Sequence, residues 1–473
     1  MKSLVSNTVI AAIGLTVVGA SHAAEVTIAT GKLKGVTSEG VDSFKGIPFA
    51  APPVGPLRWR APQPAAAWTG VRDAATYGPD CVQTSPSEVA PIRTQESEDC
   101  LYLNVWRPTA ATGKLPVMVW IYGGGFAKGG SSPAIYSGAP LARQGIIVVS
   151  FNYRLARFGT FAHPLLTKAN ADAGLLGNYG YMDQVAALKW VQRNIAAFGG
   201  NPKNVTVVGE SAGGMSVHVL VTSPLTDGLF SKGVIASGGD GNGMGGEQSM
   251  ASAERLGVAF ARSKGIAEED PLALSKLRAL SAAELNDGPG PAAVRVAVPF
   301  IDGALAVDTP AAYGTGRFHH VPTMIGATSA DLGGKTGFML RGARHLAGVI
   351  ADRGVPTYYY RFSYIAESAR KSATEGVTHA GDLPYWFDTV SVKYGEATTA
   401  RDAAVGAIVS GYLVNFVKTG DPNGPGLPRW QPYTRASEAM LDFAVDGGAV
   451  PGKDPWAADL DTVQDVPTAT AAK

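Results

Sequence analysis

The residues Gly209-Glu210-Ser211-Ala212-Gly213 follow a β-branched run, Val205-Thr-Val-Val208, and lead into a helical pattern. A serine with a glycine two positions away on each side, between a strand and a helix, has the setting of an exposed nucleophile. The glycines let the backbone turn sharply and keep side chains away from the hydroxyl. The helix N-terminus beyond it favours developing negative charge. Upstream, Val117–Ile121 runs into Tyr122-Gly123-Gly124-Gly125-Phe126. Taken alone, three glycines after a strand are equally a flexible loop. Paired with the downstream serine turn, they supply backbone N–H groups that can converge on one oxyanion, as acyl transfer requires.

Such a serine needs a base, and in this strand–turn–helix arrangement the histidine follows the nucleophile and the acid in sequence. Of the seven histidines, His22 lies in the N-terminal segment and His163 precedes Ser211. His218 falls two turns into the helix after the serine, where packing is the simpler role. His319 and His320 immediately precede a strand-like run, His345 sits among Arg341 and Arg344, and His379 lies in Gly376-Val-Thr-His-Ala-Gly-Asp-Leu-Pro-Tyr-Trp-Phe387. On residue types alone, His320, His345 and His379 stay open.

Positioning these groups requires a sheet. Leu101–Trp106, Val117–Ile121 and Ile146–Phe151 read as strands, the last two almost continuously apolar, as central strands buried on both faces are. Val26-Thr-Ile and Lys32–Val36 flank Gly31 as a short strand pair, and the Pro-rich passage Pro48–Pro64 predicts an extended surface segment. Between Tyr181 and Ala197, apolar residues recur at steps of three and four, predicting an amphipathic helix. Further strands are expected at Val321–Ala327, Thr357–Phe362 and Met440–Phe443. Alternating strands and helices argue for an α/β fold with a mostly parallel central sheet and helices on both faces. No repeat or linker divides residues 24–473, which are expected to form one domain.

Composition sets the boundaries. Forty Lys+Arg against 39 Asp+Glu leave a net charge of +1, so the chain lacks the basic excess a nucleic-acid partner demands. At 45% hydrophobic residues it can bury a large core, which excludes disorder. Met1-Lys2, an apolar stretch from Val9 to Val18 and then Ser21-His22-Ala23-Ala24 read as a secretory signal peptide cleaved after Ala23. The apolar run is too short to span a membrane, so a secreted or periplasmic location is expected. In such a compartment Cys81 and Cys100, the two cysteines of the chain, point to a disulfide rather than free thiols. No Cys or His cluster has metal-ligand spacing, and no cofactor is expected. Gly334-Lys335-Thr336 lacks the earlier glycine of a phosphate loop, because Ser329 stands there.

The sequence resembles the type-B carboxylesterases of the α/β-hydrolase fold, the family that also contains the cholinesterases. Phe198–Gly213 matches that family's active-serine signature and Glu98–Pro108 its cysteine-bearing one. Phe44-Lys-Gly-Ile-Pro48, Asn152-Tyr-Arg154, Gly177-Asn-Tyr-Gly180, Asp183-Gln184 and Thr419-Gly-Asp-Pro-Asn423 match further runs in family order. The resemblance implies a cofactor-free serine esterase with Ser211 as nucleophile and His379 as base. It places the oxyanion donors at the N–H groups of Gly124, Gly125 and Ala212, and it agrees with a Cys81–Cys100 bridge. The acid, usually a glutamate, falls on Asp331, one methylene shorter, with Asp382 as its rival. In choline-hydrolysing relatives the disulfide loop carries a tryptophan, but residues 82–99 contain no aromatic residue, so a choline site is not expected. Asp331 and His379 are separated by 47 residues, fewer than in relatives that insert helices there, and this predicts an open pocket admitting bulky esters.

Overall fold

The computed structural model describes residues 24–110, 113–242, 248–286, 298–370 and 376–461. The segment read as a signal peptide lies outside them. Among the described residues, eleven strands form one sheet. In chain order they are β1 (Val36–Ser38), β2 (Val41–Pro48), β3 (Tyr102–Pro108), β4 (Leu115–Ile121), β5 (Ile147–Phe151), β6 (Gly200–Glu210), β7 (Lys232–Ala236), β8 (Thr323–Thr328), β9 (Thr357–Phe362), β10 (Ala439–Phe443) and β11 (Ala449–Lys453). Across the sheet the order is β11-β10-β9-β8-β7-β6-β4-β5-β3-β2-β1. From β5 to β10 every neighbouring pair is parallel, and the strands at both margins are antiparallel.

The apolar runs sit where two-sided burial demands them: every residue of β5, β7, β8 and β9 is buried. Four helices matter for the site: α1 (Tyr179–Asn194), α2 (Ala212–Thr222), α3 (Phe338–Ala351) and α4 (Ala400–Thr419). Helix α2 packs on β6 and β7, α3 on β8 and β9, and α4 on β4 and β6. The period expected for α1 is present, but its solvent face is narrow, with Lys189 and Arg193 as its exposed residues. Its first two turns instead bury polar side chains, two of which reach partners on neighbouring elements. Asp183 holds Arg154 at 2.8 Å, and Gln184 donates to Ser216 on α2 at 2.9 Å.

Glu25–Ile28 and Gly31–Lys34 pair as anticipated, and Val71–Asp73 extends them into a separate small sheet. Cys81 and Cys100 are bonded. The loop they close is fastened to the glycine-rich segment. Gln83 exchanges two hydrogen bonds with Gly129 (2.7 and 2.8 Å), and Thr84 N–H donates to Ala127 C=O at 3.1 Å.

The sheet order reverses at β4, which has β5 on one side and β6 on the other. In open parallel sheets a crevice forms at the carboxyl ends of strands at such a switch point. The glycine run leaves β4 there, and the serine turn leaves β6 beside it.

Candidate active site

Gly209 of β6 lies opposite Ile121 of β4, so the residues two further on, Ser211 and Gly123, emerge level with each other. A Cβ on Gly123 would lie 2.8 Å from the Ser211 Cβ, so only glycine permits this approach. Ser211 itself adopts φ +58° and ψ −124°, a strained conformation for a residue with a Cβ and one that points its side chain off the strand end. The turn is held by Ser211 N–H to Ala236 C=O (2.9 Å) and Met215 N–H to Ser211 C=O (2.8 Å). Ala212 opens α2, so its N–H is among the donors a helix leaves unpaired at its start. Gly124 and Gly125 have φ of +109° and +64°, and a Cβ on Gly125 would meet nothing within 4 Å, which marks open space beside it.

His379 reaches this corner from a loop between β9 and α4. Its Nε2 lies 2.7 Å from Ser211 Oγ and its Nδ1 2.6 Å from Asp331 Oδ1. Asp331 stands three residues beyond the end of β8. The two loops are tied together, Ala330 N–H donating to Val377 C=O (2.9 Å) and Val377 N–H to Ser329 Oγ (3.0 Å). Thus Ser211, His379 and Asp331, from three distant parts of the chain, form one hydrogen-bonded row beside Gly123–Gly125.

The remaining candidates go elsewhere. His218 is buried on α2, with Nδ1 3.0 Å from Tyr313 Oη, and burial holds its pKa down at about 4. His320 is exposed against Gly316 C=O, and His345 is exposed on α3. Asp382, the rival acid, accepts a hydrogen bond from Trp386 Nε1 at 2.9 Å, and burial raises its pKa to about 6.

Glu210, an unremarked residue of the serine motif, is buried with Oε1 3.4 Å from His379 Nε2 and no hydrogen-bond partner on that oxygen. Burial raises its pKa to about 8, against the pull of the histidine. Burial also opposes a charge on His379. The Asp331 hydrogen bond and the charges of Glu210, Asp331 and Asp382 outweigh it, and the imidazole is pushed up to about 9. Ser237, just past β7, donates to Asp331 Oδ2 at 2.6 Å. Neither its role nor that of Glu210 has a local sequence signal, because each depends on which strand lies beside which.

The serine turn at a sheet switch point, with histidine and acid delivered from later strands, is the architecture of an α/β-hydrolase. The sequence matches the family model described as Carboxylesterase family over residues 22–343 and 334–452. It is 33% identical to a fumonisin B1 esterase of Sphingopyxis macrogoltabida over 87% of this chain and 85% of that protein. A para-nitrobenzyl esterase of Bacillus subtilis is 46% identical over 55% of this chain and 51% of its own. A solved structure titled PNB esterase superposes with a TM-score of 0.80 at 30% identity, covering 92% of this chain and 98% of that one. The chain belongs to the carboxylesterase family, which marks it as a carboxylic ester hydrolase.

Proposed function

We propose that this chain is an exported serine carboxylesterase working through an acyl-enzyme, with Ser211 as nucleophile, His379 as general base and acid, and Asp331 orienting the imidazole. The observation that carries this reading is the unbroken row from Ser211 Oγ through both ring nitrogens of His379 to Asp331. In the first half-reaction Ser211 Oγ bonds to the ester carbonyl carbon while Nε2 takes its proton. The N–H groups of Gly124, Gly125 and Ala212 receive the oxyanion. Collapse breaks the bond to the alcohol, which leaves with the proton from Nε2. Water then attacks the acyl-enzyme by the same sequence and releases the acid.

The base must be neutral to act, and the surrounding carboxylates favour its charged form. Activity is therefore lost as pH falls through the raised His379 pKa, so kcat/KM should climb through pH 7 toward a limb near the value of about 9. Glu210→Gln removes one of those carboxylates and should move the limb down by about one pH unit. A limb that stays in place would show that Glu210 does not set the charge on His379.

The short stretch between Asp331 and His379 supports an open pocket for bulky esters, as does the apolar surface just beyond the acid, where Leu332 is 46% and Phe338 38% exposed. A panel varying acyl and alcohol size independently tests this. Naphthyl or benzyl esters should be hydrolysed with kcat/KM within about tenfold of nitrophenyl acetate. A strict preference for the smallest esters would discard the open pocket while leaving the esterase intact. Export follows the N-terminal sequence pattern, and secretion of a fusion carrying residues 1–30 would test it.

A further inference from the structure

We propose that Thr328 is a positioning residue for the acid, and that it and Ser237 form a clamp cut to the length of an aspartate. The inference rests on the reading of Asp331 as the acid of the site. Its carboxylate is held on both oxygens. Oδ2 receives Ser237 Oγ at 2.6 Å, Thr328 Oγ1 at 2.9 Å and Thr328 N–H at 3.2 Å. Oδ1 receives Leu332 N–H at 2.7 Å and faces His379 Nδ1 at 2.6 Å. With Oδ2 fixed by two hydroxyls and an amide, Oδ1 has one direction left, and that direction is the imidazole.

The clamp has no slack, because both hydroxyls are carried by backbone locked into the sheet. Thr328 is the buried last residue of β8, in register with Phe362 of β9, and Ser329 N–H next to it donates to Phe362 C=O at 2.9 Å. Ser237 is buried at φ +47°, its N–H donating to Gly326 C=O at 2.8 Å. On the far side, His379 cannot retreat, since its loop is bonded to the acid's own loop at Ala330 and Ser329. A glutamate at position 331 would push the carboxylate forward by about 1.5 Å, one carbon–carbon bond. It could keep its anchors or its distance to His379, but not both. The shorter acid here is matched by its surroundings.

The test measures kcat and KM with nitrophenyl butyrate for five variants of the full chain. Thr328→Val should lower kcat by about 10- to 100-fold with KM unchanged, the cost of one hydrogen bond to a charged group, and Thr328→Ser, which keeps the hydroxyl, should stay within about threefold of the parent. Asp331→Glu should lower kcat at least tenfold although the charge is retained. Adding Thr328→Ala to Asp331→Glu should recover part of that loss, reversing the sign of the effect at position 328. An Asp331→Glu enzyme as fast as the parent, or one that Thr328→Ala further impairs, would overturn the clamp. The fifth variant separates the two ideas. If Asp331→Asn keeps full activity, the acid itself is misassigned. If Asp331→Asn is inert while Thr328→Val is unaffected in kcat, the acid stands and the clamp falls.

Discussion

Ser211→Ala should reduce nitrophenyl-ester hydrolysis by at least about 10⁴-fold and leave the fold unchanged. Only the hydroxyl is removed, and among the described residues its hydrogen bond is the 2.7 Å contact to His379 Nε2. The backbone bonds of the turn, to Ala236 and from Met215, do not involve it. Alanine occupies the positive φ at the same cost as serine, because both carry a Cβ. The melting temperature should accordingly stay within about 2 °C of the parent. His379 and the oxyanion donors would still bind and polarise an ester, so a trace of turnover is expected from them alone. A residual rate above about 1% would mean that another group forms the acyl-enzyme or that none is formed.

Gly213→Ala should do damage of a different kind. A Cβ at this position would sit 2.0 Å from Ile121 O, 2.8 Å from Ile121 C and 3.0 Å from Tyr122 O. All three are backbone atoms of the end of β4 and the start of the glycine run, so nothing can swing aside, and α2 itself must back away. That helix carries the Ala212 N–H and begins at Ser211. Forced separation in a packed core costs about 1–3 kcal/mol. An ångström of misplacement between nucleophile and oxyanion donors costs about 10²-fold in rate. Both a lowered melting temperature and a kcat reduced by that order are expected. Gly411→Ala is the matched control: Gly411 lies within α4, and the nearest atom to an added Cβ is Leu427 Cδ1 at 3.7 Å. It should hold or raise stability, by up to about 1 kcal/mol from helix propensity. If Gly213→Ala behaves like this control, the close approach of α2 to β4 does not set the geometry of the serine turn.

The serine turn and the glycine run stood out because their demands are local, whereas His379 and Asp331 were singled out only by the family resemblance. A nucleophilic serine needs glycines two positions away and a strand before it, and an oxyanion loop needs unencumbered N–H groups. Both leave marks within a few residues of Ser211 and Gly124. The central strands were legible for the same reason, since burial on both faces forces continuous apolar runs. Ser237, Thr328 and Glu210 left no comparable mark. Ser237 acts because β7 lies between β6 and β8, and Thr328 because its hydroxyl faces back to a carboxylate three residues later. Glu210 acts because His379 descends onto it from a distant loop. Strand neighbourhood is set by the whole sheet, and no window of sequence contains it. The narrow exposed face of α1 has the same origin. Asp183 and Gln184 look solvent-facing by type, yet in the interior Arg154 pairs with Asp183 and Ser216 accepts from Gln184 Nε2.

The row of hydrogen bonds at the site also bears on how the chain assembles. Ser211 and His379 are 168 positions apart, and Asp331 and His379 are 48. The serine turn and the glycine run can meet once β4 and β6 pair, but the histidine arrives only after β8 and β9 have joined the sheet and the two loops beyond them have docked. Closing loops of that length is slow, because chain entropy is spent before any contact rewards it. Catalysis is therefore expected to return no earlier than these long-range contacts. Regain of esterase activity after dilution from denaturant times the completion of the sheet rather than its nucleation.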